Sequence, residues 1–226
     1  MFADVNGIRL YYEVKGSGPP LILLHGNSTD HRFLSKLASL FSEHFTVYSI
    51  DSRAHGKSEK SDVLGYRIMA LDIAEFIVKL DLKKPALLGS SDGGIIGLVL
   101  AVAYPDLLSA LVACGANAAP TGLKRRYRAF IKILHLGSLN PKYKMILNEP
   151  DLSAAELISV KTPTLIMAGQ FDIVHRIHTL KMARLIPGSE VCIVPGEGHT
   201  SYLTRSAEKC VKRVLPFIEK AREKLL

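Results

Sequence analysis

The apolar positions of this 226-residue chain follow two alternating patterns. Short runs at residues 21–24, 46–50 and 86–88 are apolar at successive positions, as in strands buried on both faces of a parallel sheet. Residues 108–113, 164–168 and 191–194 repeat that pattern. Between them the period lengthens. Residues 66–80 place Ile68, Leu71, Ile73, Phe76, Ile77 and Leu80 close to the i, i+3, i+4 stripe of an amphipathic helix. Residues 94–104 are nearly all apolar, which predicts a helix packed against the sheet and ended by Pro105. A hairpin is expected at the start, over 5–10 and 11–14, with Asn6-Gly7 as a turn signal. An amphipathic helix over 205–225 is expected at the end, kinked or broken at Pro216. Strands alternating with helices predict an α/β fold around a mostly parallel sheet.

One interval departs from this alternation. Residues 117–160 contain no convincing strand, and they read as a small helical cap inserted into a single domain spanning 1–226. Within it Leu123, Tyr127, Phe130, Ile131 and Leu134 fall on one helical face, with Arg125, Arg128 and Lys132 on another. The same pattern also fits a helix lying on a membrane surface.

Composition narrows the picture only a little. Hydrophobic residues are 48% and charged residues 22%, the balance of a folded globular chain rather than a disordered one. No apolar run reaches the ~18 residues of a membrane span, and no secretory signal is expected at the start. Cys114, Cys192 and Cys210 are odd in number and form no metal-binding spacing, so reduced thiols and a cytoplasmic location are expected. The net charge of +8 is spread along the chain and reads as solvated helix faces, so nucleic acid is not an expected partner.

The segment Leu88-Gly89-Ser90-Ser91-Asp92-Gly93-Gly94 lies between a buried strand and an apolar helix. A chain that reverses sharply from strand to helix strains the residue at the turn. Side chains two positions to either side would collide there, so glycine is required at both places. Ser91 meets this spacing and Ser90 does not. The turn lifts the hydroxyl clear of the sheet and sets it at a helix N-terminus, where developing negative charge is favoured. Ser91 is the candidate nucleophile.

A serine needs a base, and the base needs an orienting acid. Among eight histidines, His199 follows the last predicted strand in Gly196-Glu197-Gly198-His199, at the sheet edge that carries Ser91. His31, His44, His135, His175 and His178 read as surface residues, while His25 and His55, beside glycines, read as structural or oxyanion-loop groups. Asp172, four residues beyond the strand ending at Ala168, is the candidate acid; Glu197 and Asp151 are weaker ones. Two N–H donors should face the developing oxyanion: that of Asp92, and that of Asn27 or Ser28 in the loop after the first parallel strand. Asp92 and Ser28 are also candidate substrate contacts. The Asp92 carboxylate could attract a cationic group such as an amine, or be satisfied locally by backbone or by Arg53. Ile95 and Ile96 could line an acyl pocket or belong to the core.

These segments together resemble the α/β-hydrolase superfamily over nearly the whole chain. Residues 21–27 resemble its strand and His-Gly oxyanion loop. Asp51-Ser52-Arg53-Ala54-His55-Gly56-Lys57-Ser58 is similar to its D-x-R-x-x-G-x-S segment, a turn that braces the nucleophile region. Residues 89–94 look like its nucleophile elbow, 163–172 like its P-T-L-x-x-x-G-x-x-D acid strand, and 196–199 like its G-x-G-H loop. The resemblance implies an eight-stranded, mostly parallel sheet, no cofactor, and hydrolysis of esters, thioesters or amides through an acyl-enzyme; a small to medium carboxylic ester is the expected substrate, and no metal is expected. Two features depart from the family: the cap is short, so an open site is expected, and Ser90 stands where a bulky residue is usual. The fold also hosts cofactor-free perhydrolase chemistry on the same triad. Its non-catalytic ligand-binding members usually lack a triad residue, and here none is missing. Members with an aspartate nucleophile do not fit Ser91.

Overall fold

The computed structural model describes residues 1–224. The first strand, β1 (Phe2–Val5), turns through Asn6 and Gly7, both at positive φ, into β2 (Ile8–Lys15). The Asn6-Gly7 pair is therefore the turn itself, and the predicted strand over 5–10 divides around it; two left-handed residues match the twist of a tight hairpin. There follow β3 (Pro20–Leu24), α1 (Ser35–Phe41), β4 (Thr46–Ile50), α2 (Tyr66–Lys79), β5 (Ala86–Ser90), α3 (Asp92–Ala103) and β6 (Ala110–Cys114). Three helices, α4 (Arg125–Ser138), α5 (Pro141–Asn148) and α6 (Ala154–Ser159), fill the strandless interval. Then come β7 (Thr164–Gly169), α7 (Arg176–Leu185), β8 (Glu190–Val194) and α8 (Ala207–Glu223).

The eight strands form one sheet in the order β1-β2-β4-β3-β5-β6-β7-β8. Pairings β1–β2 and β2–β4 are antiparallel and the remaining five are parallel. Alternate residues of each inner strand face opposite layers, which explains the unbroken apolar runs. Ile22, Leu24, Leu87, Leu111 and Ile166 pack beneath α2 and α3. Leu21, Leu23, Leu88, Val112 and Met167 pack against α1 and α8 on the other side.

Helix α8 runs through Pro216 without a break. Val214, Phe217 and Ile218 are buried on both sides of the proline and hold the helix to the sheet. Pro216 and Lys212, whose carbonyl loses its helical partner, lie on the exposed side of the helix. The end expected at Leu225 lies outside the described residues.

The segment Asp51–Ser58 is closed by the buried Asp51 carboxylate, which accepts from the His31 backbone N–H at 2.6 Å, His31 Nδ1 at 2.8 Å and the Lys57 N–H at 2.8 Å. His31 is thus an interior residue, 6% exposed, rather than the surface group its loop position predicts. Arg53 makes two 2.6 Å bonds to Asp72 of α2, a buried fork-to-carboxylate pair.

Candidate active site

The turn between β5 and α3 holds Ser91 at φ 51°, ψ −113°. That conformation costs roughly 1–3 kcal/mol for a side-chain-bearing residue and persists only where packing enforces it. The flanking glycines show why they are needed. A Cβ on Gly89 would lie 2.1 Å from the Gly93 carbonyl oxygen, and one on Gly93 would lie 2.4 Å from that of Leu24. The strand, the turn and β3 are packed backbone to backbone.

At the carboxyl ends of β5, β7 and β8 three side chains meet. His199 Nε2 lies 3.1 Å from Ser91 Oγ, and His199 Nδ1 lies 2.7 Å from Asp172 Oδ1. A carboxylate can only accept, so Nδ1 carries the ring proton and Nε2 offers its lone pair to the serine hydroxyl. Asp172, 2% exposed, is held by the N–H groups of Val174 at 3.0 Å and Gly169 at 3.3 Å. Glu197 turns away from the histidine, to Ser201 Oγ and Lys209.

The serine and histidine open into a cavity of about 220 Å³, lined also by Asn27, Tyr66, Ser90 and Asp92. Its apolar walls are Phe33, Leu123, Ile131, Ile146 and Ile173. Three of these residues come from the cap, which therefore walls the site. Ile95 and Ile96, on α3 itself, are buried in the core and take no part in the lining. The Ser90 hydroxyl is buried at the cavity edge and has no hydrogen-bond partner among the described residues.

Asn27 and Asp92 both border the cavity, and among the described residues neither backbone N–H has a protein acceptor. Asp92 begins α3, so its N–H is one of the unpaired donors of a helix start. The loop carrying Asn27 is tied down by His25, whose Nδ1 bonds the Gly26 carbonyl at 2.7 Å while Nε2 accepts from Ser52 N–H at 3.0 Å. Ser28 stands outside the lining, with its hydroxyl bonded to Asn27 Oδ1 at 2.7 Å.

The Asp92 carboxylate is satisfied by neither backbone nor Arg53, which is committed to Asp72. It accepts from Asn27 Nδ2 at 2.9 Å and from the Tyr66 hydroxyl at 3.0 Å. Burial raises its pKa above the ordinary carboxylate value, opposed by those two bonds and by the positive field of Lys142 on α5.

Two residues escaped sequence reading. Gly115, at φ +61°, follows β6, and a Cβ there would lie 2.7 Å from His199 Cε1. Tyr66 reaches Asp92 from the start of α2. Nothing in the local pattern marks either residue, because both contacts join segments distant in sequence. His178 is also misplaced by the pattern: its Nε2 accepts from the Ala118 N–H at 3.0 Å and ties α7 to the start of the cap.

A family model described as the alpha/beta hydrolase fold matches residues 19–133. The chain belongs to this family. It is similar to the serine hydrolase BPHL of Mus musculus, 29% identical over an alignment of 249 positions that covers 95% of this chain and 84% of that protein. It is also similar to the uncharacterized hydrolase YraK of Bacillus subtilis, 31% identical over 112 residues, 48% of this chain and 41% of that protein. The chain thus spans well under two thirds of YraK. Among solved structures, a thermophilic esterase from Thermogutta terrifontis superposes with a TM-score of 0.84 at 23% identity, covering 98% of this chain and 99% of that one. The fold of this alpha/beta hydrolase is therefore shared with the esterase.

Proposed function

We propose that the protein is a serine esterase that cleaves a small to medium carboxylic ester through an acyl-enzyme, with Ser91 as nucleophile, His199 as base and Asp172 as orienting acid. The reading is carried by one observation: the continuous Asp172–His199–Ser91 hydrogen-bonded line at the floor of the cavity. As Ser91 Oγ bonds to the ester carbonyl carbon, its proton passes to His199 Nε2. The carbonyl oxygen, now negative, takes the N–H groups of Asn27 and Asp92. Collapse of this tetrahedral species breaks the ester C–O bond, and His199 returns the proton to the departing alkoxide. A water molecule, deprotonated by the same nitrogen, then releases the acid. No step calls on a cofactor or a metal.

The substrate class follows from volume and lining. About 220 Å³ falls below the ~300–1,000 Å³ typical of drug-sized ligands, so a short or medium acyl or alcohol group fits. Apolar walls with few polar groups favour uncharged carbon there. Asp92 adds a finer element. Its buried carboxylate lies beside the cavity at an energetic cost that a cationic substrate group, such as an amine, would relieve.

The test is fluorophosphonate labelling of the purified protein beside its Ser91→Ala variant. Labelling of the wild type alone is expected, with ester turnover reduced by at least about a thousandfold in the variant. Equal labelling of both proteins, or undiminished turnover, would remove Ser91 from the mechanism.

A further inference from the structure

The cap helix α4 divides into three sectors about its axis. Tyr127, Ile131 and Leu134 turn toward the body of the protein, and Ile131 reaches the cavity. Arg125, Arg128 and Lys132 form an exposed cationic band beside them. The remaining sector carries Arg126 at its N-terminal end and then Phe130, Ile133 and Leu136, which are 57%, 67% and 67% exposed, and the helix ends at Leu139, 75% exposed. The sequence pattern groups Phe130 on one face with Leu123, Tyr127, Ile131 and Leu134; in the fold it is exposed and parts from them. At 1.5 Å per residue the stripe is about 14 Å long, and α4 has no buried residue of its own.

Large apolar side chains lined up in water mark a surface that meets something. The charge around this one says what. From Lys124 to Asn148 the chain has seven lysines and arginines and no aspartate or glutamate. Among the described residues, Arg125, Arg126, Arg128 and Lys132 have no carboxylate partner. An apolar stripe bordered by unpaired cations is the arrangement that seats a helix in the headgroup region of an anionic bilayer. A second copy of the chain fits poorly, because a two-fold contact would bring the same cationic bands together. Nucleic acid would use the cations and leave Phe130, Ile133 and Leu136 in water. No described helix is long and apolar enough to cross a membrane, so α4 would lie on the bilayer rather than in it.

We infer that α4 docks the protein onto an anionic lipid surface, with Phe130, Ile133 and Leu136 inserted among the acyl chains and Arg125, Arg126, Arg128 and Lys132 at the headgroups. On the esterase reading, the helix that contributes Ile131 to the cavity then sets the site beside the lipid, which favours ester substrates that partition into membranes. The docking itself does not depend on catalysis.

The experiment is flotation of the full chain with vesicles of phosphatidylcholine alone or of phosphatidylcholine and phosphatidylglycerol at a 70:30 ratio. Binding to the anionic vesicles should exceed binding to the neutral ones by more than about tenfold and weaken as salt is raised. The Phe130→Ser/Ile133→Ser/Leu136→Ser variant keeps every charge and should lose more than about tenfold in binding, with an unchanged melting temperature. Arg125→Gln/Arg128→Gln/Lys132→Gln should lose the preference for the anionic vesicles. The inference is overturned if the wild type does not float with either vesicle, or if the triple serine variant binds as the wild type does, which would reduce the effect to adsorption by net charge. It is equally overturned if sedimentation shows a wild-type dimer that the serine variant makes monomeric. Turnover of a soluble ester, measured in parallel, reports on the esterase reading alone.

Discussion

Gly115 offers the sharpest test of the proposed mechanism, since it touches the base without taking part in the chemistry. Alanine at this position meets two obstacles. Its backbone sits at φ +61°, where an L side chain costs about 1–2 kcal/mol. Its methyl group would lie 2.7 Å from His199 Cε1, 2.8 Å from Nδ1 and 3.4 Å from Asp172 Oδ2. Carbon atoms in contact settle near ~3.5 Å, so the ring must retreat by about 0.8 Å. The Nε2–Ser91 Oγ separation starts at 3.1 Å, already at the long end of a hydrogen bond, and cannot absorb that movement. Misplacement of about 1 Å at a reacting group costs on the order of a hundredfold. Steady-state hydrolysis of p-nitrophenyl acetate by Gly115→Ala should therefore show kcat reduced about a hundredfold, with KM little changed. The melting temperature should fall by about 2–8 °C, from the 2–4 °C expected per kcal/mol in a chain of this size. Gly137→Ala is the control: Gly137 lies within α4 facing open space, so activity should hold and stability stay level or rise slightly. Wild-type kcat in Gly115→Ala would refute the assignment of His199 as base. Loss of activity in proportion to loss of folded protein would refute the positional argument.

Two further outcomes follow from buried titratable groups. Replacing Asp92 by asparagine keeps the shape and the backbone N–H but removes the charge; kcat/KM for an amino-acid ester should fall ten- to a hundredfold relative to a neutral ester of the same size, the worth of roughly 1.5–3 kcal/mol for a charge-assisted bond. Equal rates on both esters would discard the amine preference. Burial, reinforced by His25, lowers the pKa of His55 from 6.5 to about 4. Its Nδ1 donates to the Arg53 carbonyl, while Nε2 is buried with no acceptor among the described residues for the bond a second ring proton would need. Between those two pH values the unfolded chain takes up a proton that the folded protein refuses. Stability is therefore complete above about pH 7 and declines as pH falls through 6.5 toward 4, by on the order of 3 kcal/mol. Urea denaturation at pH 7.5 and pH 5 should show about 2 kcal/mol of this loss, and His55→Gln should reduce it; identical pH dependence in the two proteins would contradict the account.

The layered fold was legible because its determinants are local. Runs buried on both faces, such as Leu21–Leu24, have no stable alternative to an interior parallel strand, and the helices between them carry their own period. The elbow was legible for a related reason: Gly89 and Gly93 are required by collisions within a few residues and with one neighbouring strand, so the spacing itself records the geometry. That Ser91, Asp172 and His199 come together at one sheet edge could be anticipated because each residue follows a recognisable strand. Boundaries were less secure. The hairpin divided at Asn6-Gly7, and Pro216 did not break α8, because tertiary burial on both sides of the proline outweighs one lost hydrogen bond.

The sequence by itself thus determined the strand and helix pattern, the sharp turn at Ser91 and the strand ends at which Asp172 and His199 stand. Only the tertiary structure decided the partners of the charges and the walls of the cavity. Arg53 pairs with Asp72 rather than Asp92, His31 is buried on Asp51, Tyr66 reaches Asp92, and Gly115 makes room for His199. The cavity is walled by Leu123, Ile131 and Ile146 of the cap instead of by Ile95 and Ile96. Each of these contacts joins different elements, from 19 residues apart for Arg53 and Asp72 upward, and its geometry depends on strand order and helix placement. A short local pattern records which faces must be buried; it carries no information on which distant side chain will meet them.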